Sequence, residues 1–272
     1  MGFDRAKAAL VGTRFADLRW VASTGSTNAD VVGLLADGGE GPAGPPIVLV
    51  ADHQTAGRGR LDRSWESPPG GSILLSIGMS MAGIPVERRT LLTSALAVAV
   101  TDAAPELRIK WPNDLVAVGA GADGTDRKVG GILAEAHAVA GRGDCVVIGL
   151  GLNANWPSVP AELDGIATSL NLLLGGDVDR EVVVAELLVA LDATWLPLIG
   201  AGARSVDEFL DAYRARSATI GRRVRAELPG GDLRGTAVDI APSGALVVEG
   251  DDGRRHTVTA GDVVHLRPTD DP

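Results

Sequence analysis

Several residue types that would mark a site or a compartment are scarce in this chain. Its single cysteine, Cys145, has no second cysteine to pair with, so an internal disulfide is excluded. Cys145 is followed by Val146, Val147 and Ile148, and this apolar run predicts a small buried core residue. The four histidines lack metal-ligand spacing and partner cysteines, so the sequence predicts no metal site.

Signals for export and for membranes are missing as well. By inspection no apolar run reaches the length that spans a bilayer, and no positively charged segment followed by an apolar core opens the chain. The net charge of −10 disfavours non-specific DNA binding and attachment to anionic membranes. We therefore expect a cytoplasmic protein that binds neither nucleic acid nor membrane.

Lysine is scarce although arginine is abundant. Of the 25 basic residues only three are lysines, namely Lys7, Lys110 and Lys128. In such a chain a remaining lysine is a candidate for a compact point charge that a guanidinium does not supply. Chance explains Lys7 near the start of the chain, whereas the other two lysines fall inside the motifs described below.

Length and composition fit one large and one small domain, because 272 residues with 45% hydrophobic residues can bury a sizeable core. The pattern predicts a helical lead over residues 1–19, a mixed α+β domain over 20–216 and a small domain over 217–272. The strands predicted in the large domain are 18–23, 47–51, 72–80, 107–111, 114–118, 129–139 and 145–153. The helices predicted there are 29–35, 86–103, 180–198 and 205–216.

The texture of the sequence changes after residue 217. Short apolar segments alternate with turns that contain glycine, which is typical of a small β-barrel. The strands predicted in this part are 222–228, 233–240, 245–249 and 255–259. We therefore expect a compact all-β unit at the C-terminal end.

The segment 57–65 reads Gly-Arg-Gly-Arg-Leu-Asp-Arg-Ser-Trp. Its glycines let backbone N–H groups face an anion, and its three arginines repel one another unless a negative group joins them. The segment is neither a Walker loop nor a dinucleotide fingerprint, because the glycine spacing differs and no Gly-Lys-Ser/Thr follows. Alone it fits a polyphosphate site and a solvated basic loop about equally well. Trp65 can close over a flat or apolar part of a ligand.

The motif Lys110-Trp111-Pro112-Asn113-Asp114 places a cation, an amide and a carboxylate around a rigid turn. Asn113 can bind a base edge or the backbone, and Asp114 can hold a cation or an arginine. Proline, asparagine and aspartate are also ordinary turn residues. Taken alone, the motif favours a capped β-turn over a ligand site.

The segment 128–135 combines a lysine with two glycines at the start of an apolar strand. Glycine inside a strand often marks close approach by a ligand or by another part of the backbone. Strand alternation places Lys128 on the face opposite Gly131 and Leu133. A bulged strand without a ligand is an equally plausible explanation for this segment alone.

The segment 149–153 alternates glycine with leucine and ends in asparagine. Strand alternation places Gly149, Gly151 and Asn153 on one face and the two leucines on the other. A face floored by glycine and ending in an amide suits a flat ligand. A bulged strand explains this segment alone just as well.

Together the four segments supply cations for phosphates, amides for a base and glycine-smoothed strands for a planar ligand. The sequence offers no Ser-His-Asp arrangement, metal cluster or obvious carboxylate pair. It therefore favours chemistry that depends on positioning and on charge stabilisation. Nucleotidyl transfer to a carboxylate is one such reaction.

These segments, in this order, resemble the biotin–protein ligases. The resemblance rests on Ser26-Thr27-Asn28, on 54–60 with Trp65, and on 110–114, 128–133 and 149–153. It covers about residues 20–216, and the tail is similar to the family's small SH3-like domain. It implies an α+β fold like that of class II aminoacyl-tRNA synthetases, with a mixed, mainly antiparallel sheet and helices, plus an SH3-like C-terminal β-barrel.

The resemblance also implies ATP and biotin as substrates, with Mg²⁺ bound to the ATP. The biotin carboxylate would attack the α-phosphorus and release pyrophosphate, and a lysine of an acceptor protein would then attack the resulting biotinyl-5′-AMP. The implied acceptor is a biotin carboxyl carrier domain of a biotin-dependent carboxylase. The oligomeric state stays open between a monomer and a weak homodimer.

Individual roles follow from the resemblance, residue by residue. The residues implied around biotin are Ser26, Thr27, Gln54, Gly57, Arg58, Lys128, Gly131, Leu133 and Gly149. The residues implied at ATP or the adenylate are Arg60, Arg63, Trp65, Lys110, Asn113, Asp114 and Asn153. Lys128, Arg60 and Arg63 are the implied catalytic groups, and Lys128 would lie between the biotin carboxylate and the α-phosphate.

Three rival interpretations remain. A lipoate–protein ligase shares the architecture and the adenylate chemistry but usually lacks the Gly-Arg-Gly-Arg segment. A biotin-sensing transcriptional regulator needs a helix-turn-helix domain, and about twenty residues before the first strand are too few for one, so we expect a form without it. A binding module built on the C-terminal barrel leaves most of the chain unexplained.

Overall fold

The computed structural model describes residues 2–37, 44–200, 202–203, 205–228, 231–259 and 262–265. A seven-stranded sheet forms the larger part of the molecule. Its strands are β1 (Leu18–Val21), β2 (Ile47–Ala51), β3 (Ser72–Ser80), β4 (Arg108–Lys110), β5 (Asp114–Ala117), β6 (Arg127–Val139) and β7 (Gly143–Asn153). Their order across the sheet is β1-β2-β3-β7-β6-β5-β4, and β1 runs parallel to β2 while the other pairs are antiparallel.

Helices cover this sheet, and a second sheet follows them in the chain. The helices are α1 (Asp4–Ala9), α2 (Thr27–Asp37), α3 (Leu91–Ala103), α4 (Leu170–Leu174), α5 (Arg180–Ala190), α6 (Leu196–Ile199) and α7 (Asp207–Arg216). The second sheet is formed by β8 (Arg223–Glu227), β9 (Leu233–Ile240), β10 (Leu246–Gly250), β11 (Arg255–Val258) and β12 (Asp262–His265). It is antiparallel throughout, in the order β11-β10-β9-β8-β12.

Strand β2 is buried on both faces, as expected of an uninterrupted apolar strand. Val48 and Val50 join the main core with α3 and α5, and Ile47 and Leu49 join a second apolar cluster beneath α2. Cys145 belongs to the second cluster and is fully buried, as predicted. Burial also raises the pKa of its thiol, so this cysteine is an inert core residue.

Helix α2 determines where a ligand can reach the sheet. It packs mainly on β2 and β3 and reaches β7. The same sheet face continues across β7, β6 and β5 beyond the helix. That continuation carries the glycines singled out in the sequence, and the segment 57–65 lies over it.

The helical run Arg180–Ile199 corrects one expectation from the sequence. By length and composition it is long and apolar enough to cross a membrane, with 44% of its apolar window buried inside the molecule. It is tied to the rest of the chain at its start and in its middle, because Arg180 pairs with Asp52 and Asp192 pairs with Arg14. Its inner face packs against α3 in the main core, so a buried core helix explains its composition.

The second sheet is joined to the larger one by specific polar contacts. The Trp111 indole donates a hydrogen bond to the Gly244 carbonyl oxygen at 3.0 Å. Arg214 of α7 pairs with Asp239 of β9 at 2.7 Å. The turn before β5 and the turn before β10 are therefore held together.

Most element positions agree with the sequence patterns, and the differences have physical causes. The predicted helix 86–103 begins only at Leu91, after a separate 3₁₀ turn at Val86–Arg88. The Arg88 guanidinium donates to the Gly200 and Ala203 carbonyl oxygens, which holds this turn against the far side of the core. Helix α4 and strand β12 were not predicted, because five and four residues are too few to show a period.

Candidate active site

The site begins where the parallel strands β1 and β2 end. A β-bridge between Thr24 and Gln54 continues their pairing, so the segments after both strands lie side by side. The Gln54 side-chain oxygen accepts from the backbone N–H of Thr27 at 2.8 Å and lies 2.9 Å from the Thr27 hydroxyl. These contacts orient the Gln54 amide and bring it beside Ser26, as the sequence motifs predict.

A buried polar chain extends from this corner across the sheet. Ser76 of β3 is fully buried, and its hydroxyl lies 2.7 Å from the Thr27 hydroxyl and 2.6 Å from the Asn28 side-chain oxygen. The Asn28 amide nitrogen donates to Glu135 of β6 at 2.7 Å. Buried polar groups are thus satisfied by one another, which fixes their orientation.

Glycines keep the middle of the sheet face low. Gly149 and Gly151 of β7 lie opposite Leu133 and Gly131 of β6. A Cβ atom on Gly149 would overlap the Asn28 side chain, and one on Gly151 would overlap the Trp65 indole. The glycines predicted from the alternation of residues 149–153 therefore do form the floor of the site. Glycine is needed there because the Asn28 and Trp65 side chains pack directly on the backbone of β7.

The structure corrects the predicted orientation of Lys128. Strand alternation places it opposite Gly131, but the pairing of β5 with β6 shifts by one residue between Leu115 and Val116. This β-bulge adds a residue to β6 and reverses the alternation beyond it. The Lys128 ammonium consequently lies on the Gly131 side, 3.4 Å from the position that a Cβ on Gly131 would take.

Lys128 occupies the centre of the site. Its ammonium lies 2.6 Å from an Asp114 carboxylate oxygen and 5.7 Å from the centre of the Trp65 ring. The lysine side chain is 34% exposed and that of Asp114 is 26% exposed, so the pair stays accessible from the pocket. A cation held between a carboxylate and an aromatic face is positioned without being buried.

The segment 57–65 folds as a short hairpin over the glycine floor. The Trp65 N–H donates to the Gly57 carbonyl oxygen at 2.9 Å, and the Gly59 N–H donates to that of Arg63 at 2.6 Å. At its tip Leu61 has a φ of 54°, a left-handed conformation that leucine seldom adopts. The hairpin therefore aims its arginines at the sheet.

Two of the loop arginines have polar partners on the sheet. Arg58 pairs with Glu135 at 3.0 Å, and Arg60 donates to the Asn113 side-chain oxygen at 3.1 Å. Asn113 in turn donates to the Ile132 carbonyl oxygen at 2.8 Å. Polar groups of the protein itself thus offset part of the electrostatic repulsion among the three neighbouring arginines.

The turn at 110–114 faces the pocket from the second sheet's side. Lys110 and Asp114 are paired across β4 and β5, and the Trp111–Pro112 peptide bond is cis. The Trp111 backbone N–H donates to the Thr219 hydroxyl at 3.0 Å. The turn predicted from the motif is present, and it also lines a pocket.

The structure gathers most of the predicted residues around one cavity of about 360 Å³, here called the main pocket. The predicted residues that line it are Ser26, Thr27, Gln54, Arg58, Arg60, Arg63, Trp65, Lys110, Asn113, Asp114, Lys128, Gly131, Leu133 and Gly149. Gly57 lies on the outer side of the hairpin and lines a neighbouring groove. Asn153 lies apart from the main pocket, at the end of β7.

A second cavity of about 840 Å³, here called the side pocket, contains Asn153. Trp65, Lys128, Gln54 and Ser64 line both cavities, so the two pockets meet at the lysine. Four buried polar atoms around the side pocket have no hydrogen-bond partner within the described part of the chain. They are His53 Nδ1, Trp65 Nε1, Asn153 Oδ1 and Trp156 Nε1.

Sequence reasoning assigned no role to several residues that the structure places at the site. Asn28 belongs to a quoted motif, and Ser76 is a hydroxyl in the interior of an otherwise apolar strand that begins and ends in serine, which was the available signal. Glu135 shares the strand face of Leu133, two residues away. Glu227 enters the main pocket from β8, and nothing in the sequence predicts that contact.

Comparison with known proteins identifies the family to which the chain belongs. Residues 35–153 match the model described as the biotin/lipoate A/B protein ligase family, and residues 219–266 match that of the biotin protein ligase C-terminal domain. The chain is 41% identical over 265 residues to a biotin–[acetyl-CoA-carboxylase] ligase of Mycobacterium tuberculosis, covering 94% of this chain and 91% of that protein. This chain belongs to the biotin–protein ligase family.

Two further proteins extend the comparison. A bifunctional ligase/repressor of Bacillus spizizenii is 34% identical over 220 residues, which cover 78% of this chain and 64% of that protein. A solved biotin protein ligase from Aquifex aeolicus, in complex with biotin and ATP, has a TM-score of 0.72 and 26% identity. The match covers 93% of this chain and all of that one.

These matches confirm the predicted fold class, a mixed and mainly antiparallel α+β fold with an SH3-like C-terminal sheet. They also confirm the expectation of a biotin–protein ligase that uses biotin and ATP. The predicted domain boundaries and the roles of individual residues stay predictions.

Proposed function

We propose that this biotin–protein ligase joins biotin to a lysine in two steps at the junction of its two pockets. A biotin carboxylate oxygen attacks the α-phosphorus of ATP, the bond to the β-phosphate breaks, and pyrophosphate leaves. The acceptor lysine, as a neutral amine, then attacks the carbonyl carbon of biotinyl-5′-AMP. AMP leaves and the amine loses a proton, which yields an amide.

The observation that carries this proposal is the place of Lys128. It lines both pockets and presents its ammonium next to Asp114 and Trp65. A carboxylate in the main pocket and an α-phosphate at the mouth of the side pocket repel each other as they approach. A cation between them stabilises that approach more than it stabilises the separated anions.

The main pocket fits the biotin end of the reaction. Thr27 and Gln54 offer oriented polar groups, while Gly149, Gly131 and Leu133 leave a low and partly apolar face. Since the Gln54 oxygen already accepts from the Thr27 backbone N–H, its amide nitrogen is the group left for a ligand carbonyl. Ser26 and Arg58 complete the assignment at this end of the pocket.

The side pocket fits the nucleotide. Asn153 and Trp65 lie there with polar atoms that a purine can satisfy, and the Trp65 ring offers a stacking surface. Arg60 and Arg63 of the hairpin, with Lys110, are assigned to the phosphates, where Asn113 holds Arg60 and Asp114 holds Lys128. No group of three or more metal-ligating side chains occurs among the residues described, and we assign Mg²⁺ to the ATP phosphates.

Biotin-dependent exchange of labelled pyrophosphate into ATP tests the proposal. The exchange reports the first step alone and needs no acceptor protein. We expect exchange with biotin and much less with lipoate, because the two ligands differ in the ring that Thr27 and Gln54 would bind. Equal exchange with both, or exchange with lipoate alone, would overturn the assignment of the main pocket.

We further propose that the acceptor is a biotin carboxyl carrier domain in the cytoplasm. The Mycobacterium tuberculosis relative is named for an acetyl-CoA-carboxylase acceptor, which supports this choice. Incubation of a purified carrier domain with the protein, biotin and ATP should add one biotin, measured by mass spectrometry. Adenylate formation without transfer to any carrier would contradict the proposal.

A further inference from the structure

We infer that Glu135 is a positioning residue that couples the biotin end of the main pocket to the arginine hairpin. The inference rests on the proposed function, since it concerns how that same pocket holds biotin. Glu135 lies behind the main pocket and its carboxylate does not line it. Its influence on a ligand is therefore exerted through Asn28 and Arg58.

One carboxylate oxygen of Glu135 receives both contacts. Its Oε2 atom accepts from the Asn28 amide nitrogen at 2.7 Å and from an Arg58 guanidinium nitrogen at 3.0 Å. Asn28 is 5% exposed, whereas the Arg58 side chain is 49% exposed. The same oxygen thus joins a fixed residue of the pocket floor to a residue of the loop above it.

The contact to Asn28 fixes the order of donors in the buried chain. Because a carboxylate only accepts, the Asn28 nitrogen must face Glu135 and the Asn28 oxygen must face Ser76. The Ser76 hydroxyl then donates its single proton to the Asn28 oxygen and can only accept from the Thr27 hydroxyl. The Thr27 backbone N–H donates to the Gln54 oxygen. Glu135 is therefore the acceptor end of the chain that orients the biotin-facing groups.

The contact to Arg58 acts on the loop. Three arginines in segment 57–65 repel one another, and Glu135 compensates the one nearest the biotin end. Charge-assisted hydrogen bonds of this kind are stronger than neutral ones and keep a preferred geometry. Glu135 thereby favours the closed hairpin and keeps the Arg58 guanidinium beside the pocket.

Two substitutions separate these contacts. Glu135→Gln keeps an oxygen that accepts from Asn28 but removes the charge that holds Arg58. Glu135→Ala removes both contacts. Asp144→Asn serves as the matched control, because Asp144 pairs with Arg89 at 3.0 Å away from both pockets.

Steady-state pyrophosphate exchange and trypsin cleavage at the hairpin arginines report the two effects, and we expect bound biotin to slow that cleavage in the wild type. Glu135→Ala should raise the KM for biotin about tenfold, in line with the loss of a hydrogen bond to a charged group. It should change kcat and the KM for ATP by less than about twofold. It should also abolish the protection of the hairpin by biotin.

Glu135→Gln should keep the KM for biotin within about threefold of the wild-type value, because a neutral acceptor retains most of the Asn28 hydrogen bond. It should nevertheless lose most of the trypsin protection, because a neutral oxygen can still accept from Arg58 but no longer supplies the charge that holds the guanidinium. Asp144→Asn should match the wild type in both measurements. Thermal melts identify any variant that does not fold.

The outcomes distinguish this inference from the proposed function. If the wild type shows no biotin-dependent exchange, the proposed function fails and this inference fails with it. If the wild type is active and folded Glu135→Gln retains full biotin protection of the hairpin, the coupling role of Glu135 is wrong. In that second case the proposed function stands.

Discussion

The main pocket and the side pocket differ in how their polar atoms are satisfied. In the main pocket one chain of hydrogen bonds runs from Gln54 through Thr27, Ser76 and Asn28 to Glu135. Around the side pocket, buried atoms of four side chains have no partner within the described residues. One end of the site is complete in the free protein, and the other has hydrogen-bonding capacity that a ligand can take up.

This difference has an energetic meaning. A buried polar group without a partner costs about 1–3 kcal/mol, and a ligand that supplies the partner recovers that free energy on binding. A satisfied network instead costs little further ordering when a ligand arrives. We therefore predict that the main pocket is prepared for biotin, because its polar groups are already hydrogen-bonded to one another. The nucleotide instead supplies the hydrogen bonds that the side pocket lacks.

Lys128, where the two pockets meet, should show the largest effect of any single substitution. Lys128→Ala should lower biotin-dependent pyrophosphate exchange by on the order of a hundred- to a thousandfold, because one well-placed charge at the transition state is lost. Lys128→Arg should restore little, since a guanidinium is larger and planar. Thermal melts of both variants should match the wild type.

Lys7→Ala is the matched control for this experiment, because Lys7 lies on α1 and lines neither pocket. It should leave the exchange rate unchanged. Exchange by Lys128→Ala within about threefold of the wild-type rate would mean that another cation performs this role. Lys128 would then not be the cation that acts where the two pockets meet.

Gly151→Ala tests whether the glycine floor keeps Trp65 in place between the pockets. The added methyl group would overlap the indole ring, which has to move. Such overpacking costs about 1–3 kcal/mol, equivalent to roughly a 5- to 150-fold rise in the KM for ATP if the ring leaves its position.

Gly131→Ala is the paired control, because a methyl group there would lie at an ordinary 3.4 Å from Lys128 and Trp65. Its effect on the KM for ATP should be clearly smaller. Equal effects of both alanines would remove the distinction between the two glycines and would indicate that Trp65 does not need its present position.

Ser76→Ala and Trp156→Phe contrast the two pockets directly. Ser76→Ala removes a buried hydroxyl that contacts Thr27 and Asn28, so it should destabilise the fold by about 1–3 kcal/mol and raise the KM for biotin. Trp156→Phe removes a buried N–H without a described partner, which offsets part of the cost of the cavity left by the smaller ring, so the melting temperature should fall less than in Ser76→Ala.

The KM for ATP of Trp156→Phe should rise by roughly two- to tenfold if the nucleotide uses that N–H, in line with one hydrogen bond. Thermal melts and substrate titrations of both variants give the comparison. A Trp156→Phe protein that melts well below the wild type, while Ser76→Ala melts with it, would reverse the assignment of prepared and unprepared pockets.

The smallest effect concerns the contact between α7 and the second sheet. Burial by itself raises the pKa of the Asp239 carboxyl, but hydrogen bonds from Arg214 and from the Ile240 N–H outweigh it and hold that pKa below its usual 3.8. A lowered pKa contributes stability above pH 3.8 that is lost as pH falls through the folded-state value.

Thermal melts of the wild type and of Asp239→Asn, from neutral pH to below pH 3.8, test the contact between Arg214 and Asp239. The wild type should melt higher at neutral pH, and the gap should close in the acid range below pH 3.8. A gap that stays constant with pH would show that the carboxylate charge contributes nothing to this contact.

Sequence patterns predicted the fold well where they are long and local. The bounds of β2 and β3 agree with the structure, because both are mainly apolar segments between polar turns, which leaves little choice. Residues 86–90 were assigned wrongly to a helix, because the partners of Arg88 lie more than a hundred residues away. No local pattern carries that information.

The candidate site shows the same division. The motifs predicted correctly which segments lie together at the site. The orientation of Lys128, however, depends on a β-bulge that period-two alternation does not reveal. The contact between Arg58 and Glu135 joins residues 77 positions apart, so only the folded chain reveals it. The sequence therefore predicted the residues of the site better than the contacts between them.

Hydrogen–deuterium exchange with biotin alone, and then with biotin and ATP together, tests the central comparison most directly. Biotin alone should slow exchange in residues 57–65 and leave residues 153–168 unchanged, because it fills the prepared main pocket. Addition of ATP should then slow exchange in 153–168 as the side pocket gains its ligand. Slower exchange in 153–168 with biotin alone, or none after ATP, would contradict the account.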